Sequence, residues 1–235
     1  MKSNRIVSLL VVTLLAFGCS GSGDGKPGGG AGGGSSDAEG GTDAGTSEAG
    51  GGAGGGTSGT GGGGQSDFKR VFVTSGEYSG DLRAAGAGTD GLDGADRICN
   101  SVAQGSGLPG SYTAWLSTST VDAIDRIADV GPWYQVPSSE TPIKTFNNKS
   151  GLAGTPLIEI QYHENGGRVW GTETTVWTGT ATGGRKTAST CRNFTSQDSS
   201  EPGLLGRTTS TIGWTSGPGA ASCQFSHHLY CFQVK

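Results

Sequence analysis

The stretch DGADRICNSVAQG, Asp93 to Gly105, predicts an amphipathic helix with a cysteine on its apolar face. Asp93 can cap the N-terminus, Asp96 falls in the first turn, where the helix dipole favours an anion, and Gly105 ends the helix. The apolar residues follow the i, i+3, i+4, i+7, i+8 spacing of one helix face: Ala95, Ile98, Cys99, Val102 and Ala103. We therefore predict that Cys99 points into a core, where a thiol is a poor nucleophile.

Three more cysteines lie downstream of this helix. HLYCFQV, His228 to Val234, has apolar residues on both faces, which predicts a central strand with Cys231 in its middle. Cys191 and Cys223 lie between the helix and this strand. Four cysteines allow three pairings, and spacing does not choose among them. None has zinc-site spacing, so we predict disulfides formed in an oxidising compartment.

The N-terminus predicts export. Lys2 and Arg5 precede an apolar run, Ile6 to Gly18, that is shorter than the roughly 20 residues of a spanning helix. Residues 1–18 are therefore predicted to be a signal peptide. LAFGCS resembles a bacterial lipobox, which implies that Cys19 carries a lipid. The alternative is an ordinary signal peptide with an incidental cysteine.

The composition changes at residue 67. Residues 19–66 are about half glycine and contain almost nothing to bury, so we predict a disordered Gly/Ser-rich linker after the lipidated cysteine. All five tryptophans, all five tyrosines and four of the five cysteines lie in residues 67–235, for which we predict one domain. The chain has a formal net charge of −4, and the domain has no basic block to neutralise phosphates. Nucleic acid is therefore not expected as a partner.

Most other segments of the domain predict short strands separated by Gly, Ser and Asn turns. Four runs have the β-branched and aromatic content of strands: Arg70–Ser75, Ser111–Ser117, Pro132–Val136 and Thr174–Thr180. Leu157–Gly171 predicts a hairpin with Asn165-Gly166 as its positive-φ turn. Val121–Ala128 predicts a second helix capped by Thr120. This order indicates an α+β fold rather than a parallel α/β sheet.

Three segments resemble endostatin, the C-terminal domain of a vertebrate collagen. They are GLDGADRICNSVAQGSGLPGSYTAWLS (Gly91 to Ser117), VWTGTATGGRKTASTC (Val176 to Cys191) and AASCQFSHHLYC (Ala220 to Cys231). They are still more similar to the endostatin-like domains of bacterial lipoproteins, including the leptospiral ones. RVFVTSGEYSGDL resembles the opening of those bacterial domains. The resemblance covers essentially all of residues 67–235.

This resemblance implies a C-type-lectin-like fold, in which two helices flank a twisted, mostly antiparallel sheet with long irregular loops. It also implies nested disulfides that join Cys99 to Cys231 and Cys191 to Cys223. The first of these bridges would tie the predicted helix to the predicted central strand.

Neither metal site of related proteins carries over. Calcium-dependent lectins of this fold use carboxylate-rich motifs, whereas EPG (Glu201 to Gly203) is displaced and WTS (Trp214 to Ser216) offers no carboxylate. Endostatin binds zinc through histidines near its N-terminus, and no histidine precedes His163 here. His227 and His228 are adjacent in a strand, so we expect them on opposite faces, one exposed and one packed. No metal or other cofactor is expected.

The sequence carries no motif typical of an enzyme, such as G-x-S-x-G, H-E-x-x-H or a Walker loop, so we expect no catalytic residue. Trp133 and Trp214 lie beside Gly, Pro or Ser and are candidate loop anchors for a ligand, with core packing as the favoured alternative. Arg185 is a third candidate, although the arginines are scattered, unlike the clusters with which endostatin binds heparin.

These features together predict a surface-displayed lipoprotein, anchored in the outer membrane through Cys19. Its endostatin-like domain is expected to be a non-catalytic binding or adhesion module for an extracellular protein or glycan. The alternatives are a calcium-dependent carbohydrate-binding lectin and a structural envelope component without a soluble ligand.

Overall fold

The structure, a computed structural model, describes residues 68–171 and 174–235. The predicted signal peptide, the lipid-attachment residue Cys19 and the glycine-rich linker lie outside the described residues. The described part mixes helices with several small sheets, which confirms the predicted α+β class.

The elements follow one another as short strands around one long helix. The strands are β1 Lys69–Val73, β2 Tyr112–Ala114, β3 Trp133–Gln135, β4 Ile143–Phe146, β5 Thr175–Trp177, β6 Thr180–Ala181, β7 Arg185–Lys186, β8 Pro202–Arg207, β9 Gly219–Ser222 and β10 Tyr230–Gln233. The helices are α1 Leu82–Ala85, α2 Gly91–Gly105 and α3 Ala123–Arg126, with 3-10 turns at Lys149–Ala153 and Thr182–Gly184.

The long helix α2 begins earlier than its sequence predicts. Asp90 rather than Asp93 is the N-cap, and its carboxylate accepts a hydrogen bond from the Asp93 N–H at 2.8 Å. The assignment of the cap to Asp93 was wrong because two glycines in the first turn weaken the helix signal. Gly94 is needed there, since a Cβ would lie 2.2 Å from the Leu82 carbonyl oxygen of α1. The predicted end at Gly105 is confirmed.

The second predicted helix is also different in extent. The helix α3 spans Ala123–Arg126 only, and Asp122 rather than Thr120 occupies its N-cap position. Its C-terminal end comes early because Ile127 adopts extended backbone angles, φ −84° and ψ 125°. The apolar spacing of this segment therefore marks a buried irregular stretch as much as a helix.

The main sheet has five strands in the order β2-β10-β1-β3-β4. All neighbours are antiparallel except β1 and β3, which run parallel. The strand β10 is central, as its sequence predicts, and Cys231 pairs with Phe72 on one side and Ala114 on the other. The sheet therefore presents Cys231 at its centre.

The helix α2 protects the free edge of this sheet at β2. The Asn100 side chain accepts from the Tyr112 N–H and donates to the Tyr112 carbonyl, at 2.9 and 2.7 Å. The Asp96 carboxylate accepts from the Ala114 N–H at 2.9 Å. These side chains take the place of a further strand, so the edge exposes fewer unpaired backbone groups.

Two disulfides join distant parts of the chain. Cys99 on α2 is bonded to Cys231 on β10, and Cys191 is bonded to Cys223. All four cysteines are fully buried, as the helix pattern predicts for Cys99. The pairing is the nested one that the resemblance implies, and the loop closed by the second bridge lies within the loop closed by the first.

The residues Cys191–Phe194 form a left-handed turn. All four have positive φ, between 49° and 59°, and none is glycine. Such a conformation costs roughly 1–2 kcal/mol for each residue. The turn is held at one end by the disulfide and in the middle by Asn193, whose side-chain oxygen accepts from the Ser119 N–H at 2.8 Å.

Candidate functional site

Several clefts in the described part of the chain lie beside charged side chains, and two of them are compared as candidates for a ligand site. The first, which we call the Arg70 cleft, has a volume of about 300 Å³. It opens where β1 meets the segments that follow α2 and β3 and the turn of the 157–171 hairpin. Its defining residues are Arg70, Phe72, Leu108, Pro137, His163 and Gly166.

The turn of the 157–171 hairpin forms one wall of the Arg70 cleft. Its ends are joined by hydrogen bonds from the His163 N–H to the Gly167 carbonyl and from the Gly166 N–H to the His163 carbonyl, at 2.8 and 3.0 Å. Gly166 has φ +77°, as the prediction of a positive-φ turn requires, whereas Asn165 does not adopt positive φ. Gly166 also docks on Ser138, because a Cβ there would lie 2.6 Å from the Ser138 nitrogen.

The Glu164 side chain in this turn is buried and hydrogen-bonded within the protein. Its side chain is 8% exposed, and its carboxylate accepts hydrogen bonds from both the backbone N–H and the hydroxyl of Ser75. A carboxylate paired in this way holds the turn against the end of β1. Its hydrogen-bonding capacity is therefore used for structure, while its negative charge remains at the wall of the cleft.

Arg70 supplies the positive charge of the cleft. Its guanidinium carbon lies 5.6 Å from the centre of the Phe68 ring, a cation–π distance. Its Nε atom is buried and has no hydrogen-bond acceptor among the residues that the structure describes. Within the same residues, no carboxylate lies within 4 Å of the guanidinium. Arg70 is thus a half-buried cation without a counter-charge in the described part of the chain.

Tyr112 packs beside Arg70 and does not neutralise it. Its side chain is 1% exposed, and its hydroxyl is buried without a hydrogen-bond partner among the described residues. Burial raises the pKa of the Tyr112 hydroxyl to about 12, although the Arg70 guanidinium acts in the opposite direction. The hydroxyl is therefore neutral at physiological pH, and the charge of Arg70 is left uncompensated.

The second cleft, of about 330 Å³, lies between the start of α2 and the left-handed turn. Its charged side chains already have partners. Asp90 caps α2, and the Arg192 guanidinium lies 2.7 Å from the Glu201 carboxylate. The Arg70 cleft is therefore the stronger candidate for a site that needs a ligand charge.

The three histidines of the chain lie near one another without forming a metal site. His228 is buried, with Nδ1 2.7 Å from the Thr74 carbonyl and Nε2 3.2 Å from Glu77. His227 is half-buried, and burial lowers the pKa of its imidazole. His163 lies with its ring centre 5.9 Å from that of His228. No group of three or more His, Cys, Asp or Glu in residues 68–171 and 174–235 is arranged to hold a metal ion.

The histidine pair departs from expectation in one respect. His227 packs edge-on against Trp177, with ring centres 4.5 Å apart, and its Nδ1 lies 2.7 Å from the Thr175 hydroxyl. The two histidines therefore contact different neighbours, as alternation along a strand requires. His227 is half-buried rather than exposed, because β5 lies beside it.

Two of the three proposed ligand residues are core residues. Trp133 and Trp214 are 0% and 1% exposed, which confirms the favoured alternative, core packing, and leaves neither side chain free to anchor a ligand. Their indole N–H groups donate to the carbonyls of Gln233 and Gly154, both at 2.9 Å. Glycine and proline beside them permit close packing under the loops and do not indicate exposure.

Arg185, the third proposed ligand residue, lies on β7 with an exposed side chain. Its guanidinium donates to the Asp122 carboxylate at 2.8 Å, and the Lys186 N–H donates to the same carboxylate. The Arg185 hydrogen bond is the largest contribution that lowers the pKa of Asp122. Arg185 does not line the Arg70 cleft, so the structure does not bring it together with Arg70.

Sequence reasoning missed two side chains that the fold leaves accessible, Trp170 and Arg70. Trp170 is 84% exposed, and it stands beside Gly171, so the criterion that selected Trp133 and Trp214 selects Trp170 equally well. Arg70 lies at the start of a strand, where a basic residue predicts a solvated end. Nothing in the local sequence indicates that its Nε is buried.

Comparison with known proteins assigns no family. No family model matches the chain, and no curated protein matches it. In the described part of the chain, no helix has both the length and the hydropathy needed to cross a membrane.

Proposed function

We propose that this protein is a surface-displayed lipoprotein whose C-type-lectin-like, endostatin-like domain is a non-catalytic binding module for an extracellular protein or glycan. The supporting observation is a scaffold cross-linked by two disulfides that carries large apolar side chains exposed on its irregular segments. Trp170 and Ile212 are 84% and 81% exposed. Exposed aromatic and aliphatic side chains on a rigid scaffold are typical of binding surfaces.

Attachment to the envelope rests on Cys19. A lipidated cysteine followed by a flexible linker holds a domain away from the membrane surface while keeping it at high local concentration there. Replacing Cys19 by Ala should move the protein out of the lipid-modified membrane fraction. The matched variant Ser20→Ala should remain in that fraction. Continued lipid labelling of Cys19→Ala would contradict the anchoring proposal.

The binding function is tested on an array of glycans and extracellular matrix proteins, with the purified protein as the probe. The expected result is a defined set of ligands, bound equally with and without EDTA, because the proposal involves no calcium. Reduction of the two disulfides should abolish binding, because the domain that carries the binding surface loses its cross-links. An array without any bound ligand would favour a structural envelope component, and EDTA-sensitive binding would favour a calcium-dependent lectin.

A further inference from the structure

The Arg70 guanidinium in this cleft has no carboxylate paired with it among the described residues. A buried or half-buried guanidinium without a partner is costly, because it loses water without gaining an ion pair. Arg70 has no carboxylate partner among the described residues, and the neighbouring Tyr112 hydroxyl is neutral. Glu164 lines the same cleft, but its carboxylate is held by Ser75. A ligand that brings one negative charge would complete the site.

The geometry of a guanidinium narrows the class of anion. Its planar fork matches a carboxylate with two parallel hydrogen bonds. A dianionic phosphate would place a second charge near the Glu164 carboxylate at the wall, and like charges repel strongly in a partly dehydrated cleft. A singly charged carboxylate is therefore favoured over a phosphate.

The size and lining of the cleft point to a sugar rather than to a peptide. A volume of about 300 Å³ lies at the lower end of small-ligand pockets and suits one sugar ring. Ser106, Ser138 and Asn165 place hydroxyl and amide groups at the exposed rim, while Leu108 and Pro137 supply an apolar surface. Sugars present both kinds of surface, hydroxyl edges and a C–H face.

The strands beside the cleft also disfavour a peptide. An extended peptide is commonly bound by adding a strand to a free sheet edge. The strand β1 pairs with β10 on one side and with β3 on the other, so it offers no free edge at Arg70. A compact ligand such as a single sugar ring does not need a free strand edge.

We propose that the Arg70 cleft binds a carboxylated sugar residue of the uronic acid type, with the Arg70 guanidinium paired to its carboxylate. The hydroxyl and amide groups at the rim hydrogen-bond to the sugar hydroxyls. This inference rests on the proposed binding function, and it names the ligand chemistry of one site within it.

The test is isothermal titration of the purified full chain with sodium D-glucuronate, with D-glucose as the uncharged control. We expect saturable binding of glucuronate, weaker binding of glucose, and a loss of tenfold or more in glucuronate affinity for Arg70→Gln. Arg83→Gln, which changes an exposed arginine outside the cleft, should bind like the wild type. Equal binding by the wild type and Arg70→Gln would overturn the proposal.

Two further measurements keep the test decisive. Arg70→Gln could unfold, so Ser138→Trp is titrated as well, because it fills the rim of the cleft from an exposed position and should also abolish binding. Inorganic phosphate or a peptide with a free C-terminal carboxylate that bound more tightly than glucuronate would refute the sugar assignment. If the protein binds ligands on the array but does not bind glucuronate, this inference is overturned and the proposed binding function still stands.

Discussion

Removal of the Cys99–Cys231 bridge should destabilise the domain more than removal of the Cys191–Cys223 bridge. The two double variants, Cys99→Ala/Cys231→Ala and Cys191→Ala/Cys223→Ala, each delete one disulfide without leaving a free thiol. In both cases the deleted sulfur atoms are fully buried, so the cavities that they leave are comparable in kind. The difference between the variants therefore reports on the chain topology.

The magnitude follows from the loops that the bridges close. The first bridge joins residues 132 apart, which corresponds to a ceiling of about 5 kcal/mol from the entropy of the unfolded chain. The second joins residues 32 apart, which corresponds to about 4 kcal/mol. Its loss also lets the left-handed turn at Cys191–Phe194 relax, and this relief offsets part of the cost. The first bridge should therefore exceed the second by at least about 1 kcal/mol.

The assays are urea unfolding, which gives the free energy of unfolding, and thermal unfolding, which gives Tm. Both are applied to the oxidised protein and to the two variants, with Cys19→Ala as a control that keeps both bridges. The variant that lacks Cys99 and Cys231 should lose about 10–20 °C in Tm if the full ceiling is realised, at roughly 2–4 °C per kcal/mol for a domain of this size. Equal losses, or a larger loss for the Cys191–Cys223 variant, would refute the loop-entropy reasoning. A Cys99 variant as stable as the wild type would refute the structural role of that bridge.

Three other changes should separate core, ion-pair and surface roles. Trp214→Ala should lower the free energy of unfolding by about 3–5 kcal/mol, whereas Trp170→Ala should change it by less than about 0.5 kcal/mol, as measured in urea. Arg126→Met should cost about 3 kcal/mol, because it removes both 2.7–2.8 Å hydrogen bonds to the Asp96 carboxylate, and Asp96→Asn in the same chain should recover part of that loss. Arg185→Gln should lower the free energy of unfolding at neutral pH, and its difference from the wild type should shrink as the pH falls. The lowered pKa of Asp122 gives stability that is present above the ordinary carboxyl pKa and lost as pH falls through the folded pKa, and the variant lacks part of this contribution from the start. A stability difference that stays the same between neutral and acid pH would count against this assignment.

Burial was predictable where one periodic pattern controls it. The face of α2 that carries Ala95, Ile98 and Cys99 is buried, because a long helix beside a sheet has one way to hide its apolar side. The start of the same helix was not predictable from local sequence. Gly91 and Gly94 argue against a helix in isolation, and only their close contacts with the backbones of Asn193 and Leu82 show why glycine is there.

The candidate site was the least predictable part. The residue types beside a tryptophan do not distinguish a loop tip from a loop that covers the core. Trp133 and Trp214 were therefore considered as ligand residues although they are buried, while the exposed Trp170 was passed over. Arg70 depends on contacts between segments that are far apart in sequence, β1, the end of α2 and the 163–166 turn. The disulfide pairing came from resemblance rather than from spacing, and the C-type-lectin-like fold remains a prediction.

The position of β1 has a mechanical consequence. The chain that comes from the glycine-rich stretch enters the described domain at the middle of its largest sheet, because β1 starts at Lys69 between β10 and β3. Arg70 is the next residue along. For a ligand paired with Arg70, part of any tension between that ligand and the N-terminal chain would pass directly between neighbouring residues of β1, without crossing either disulfide.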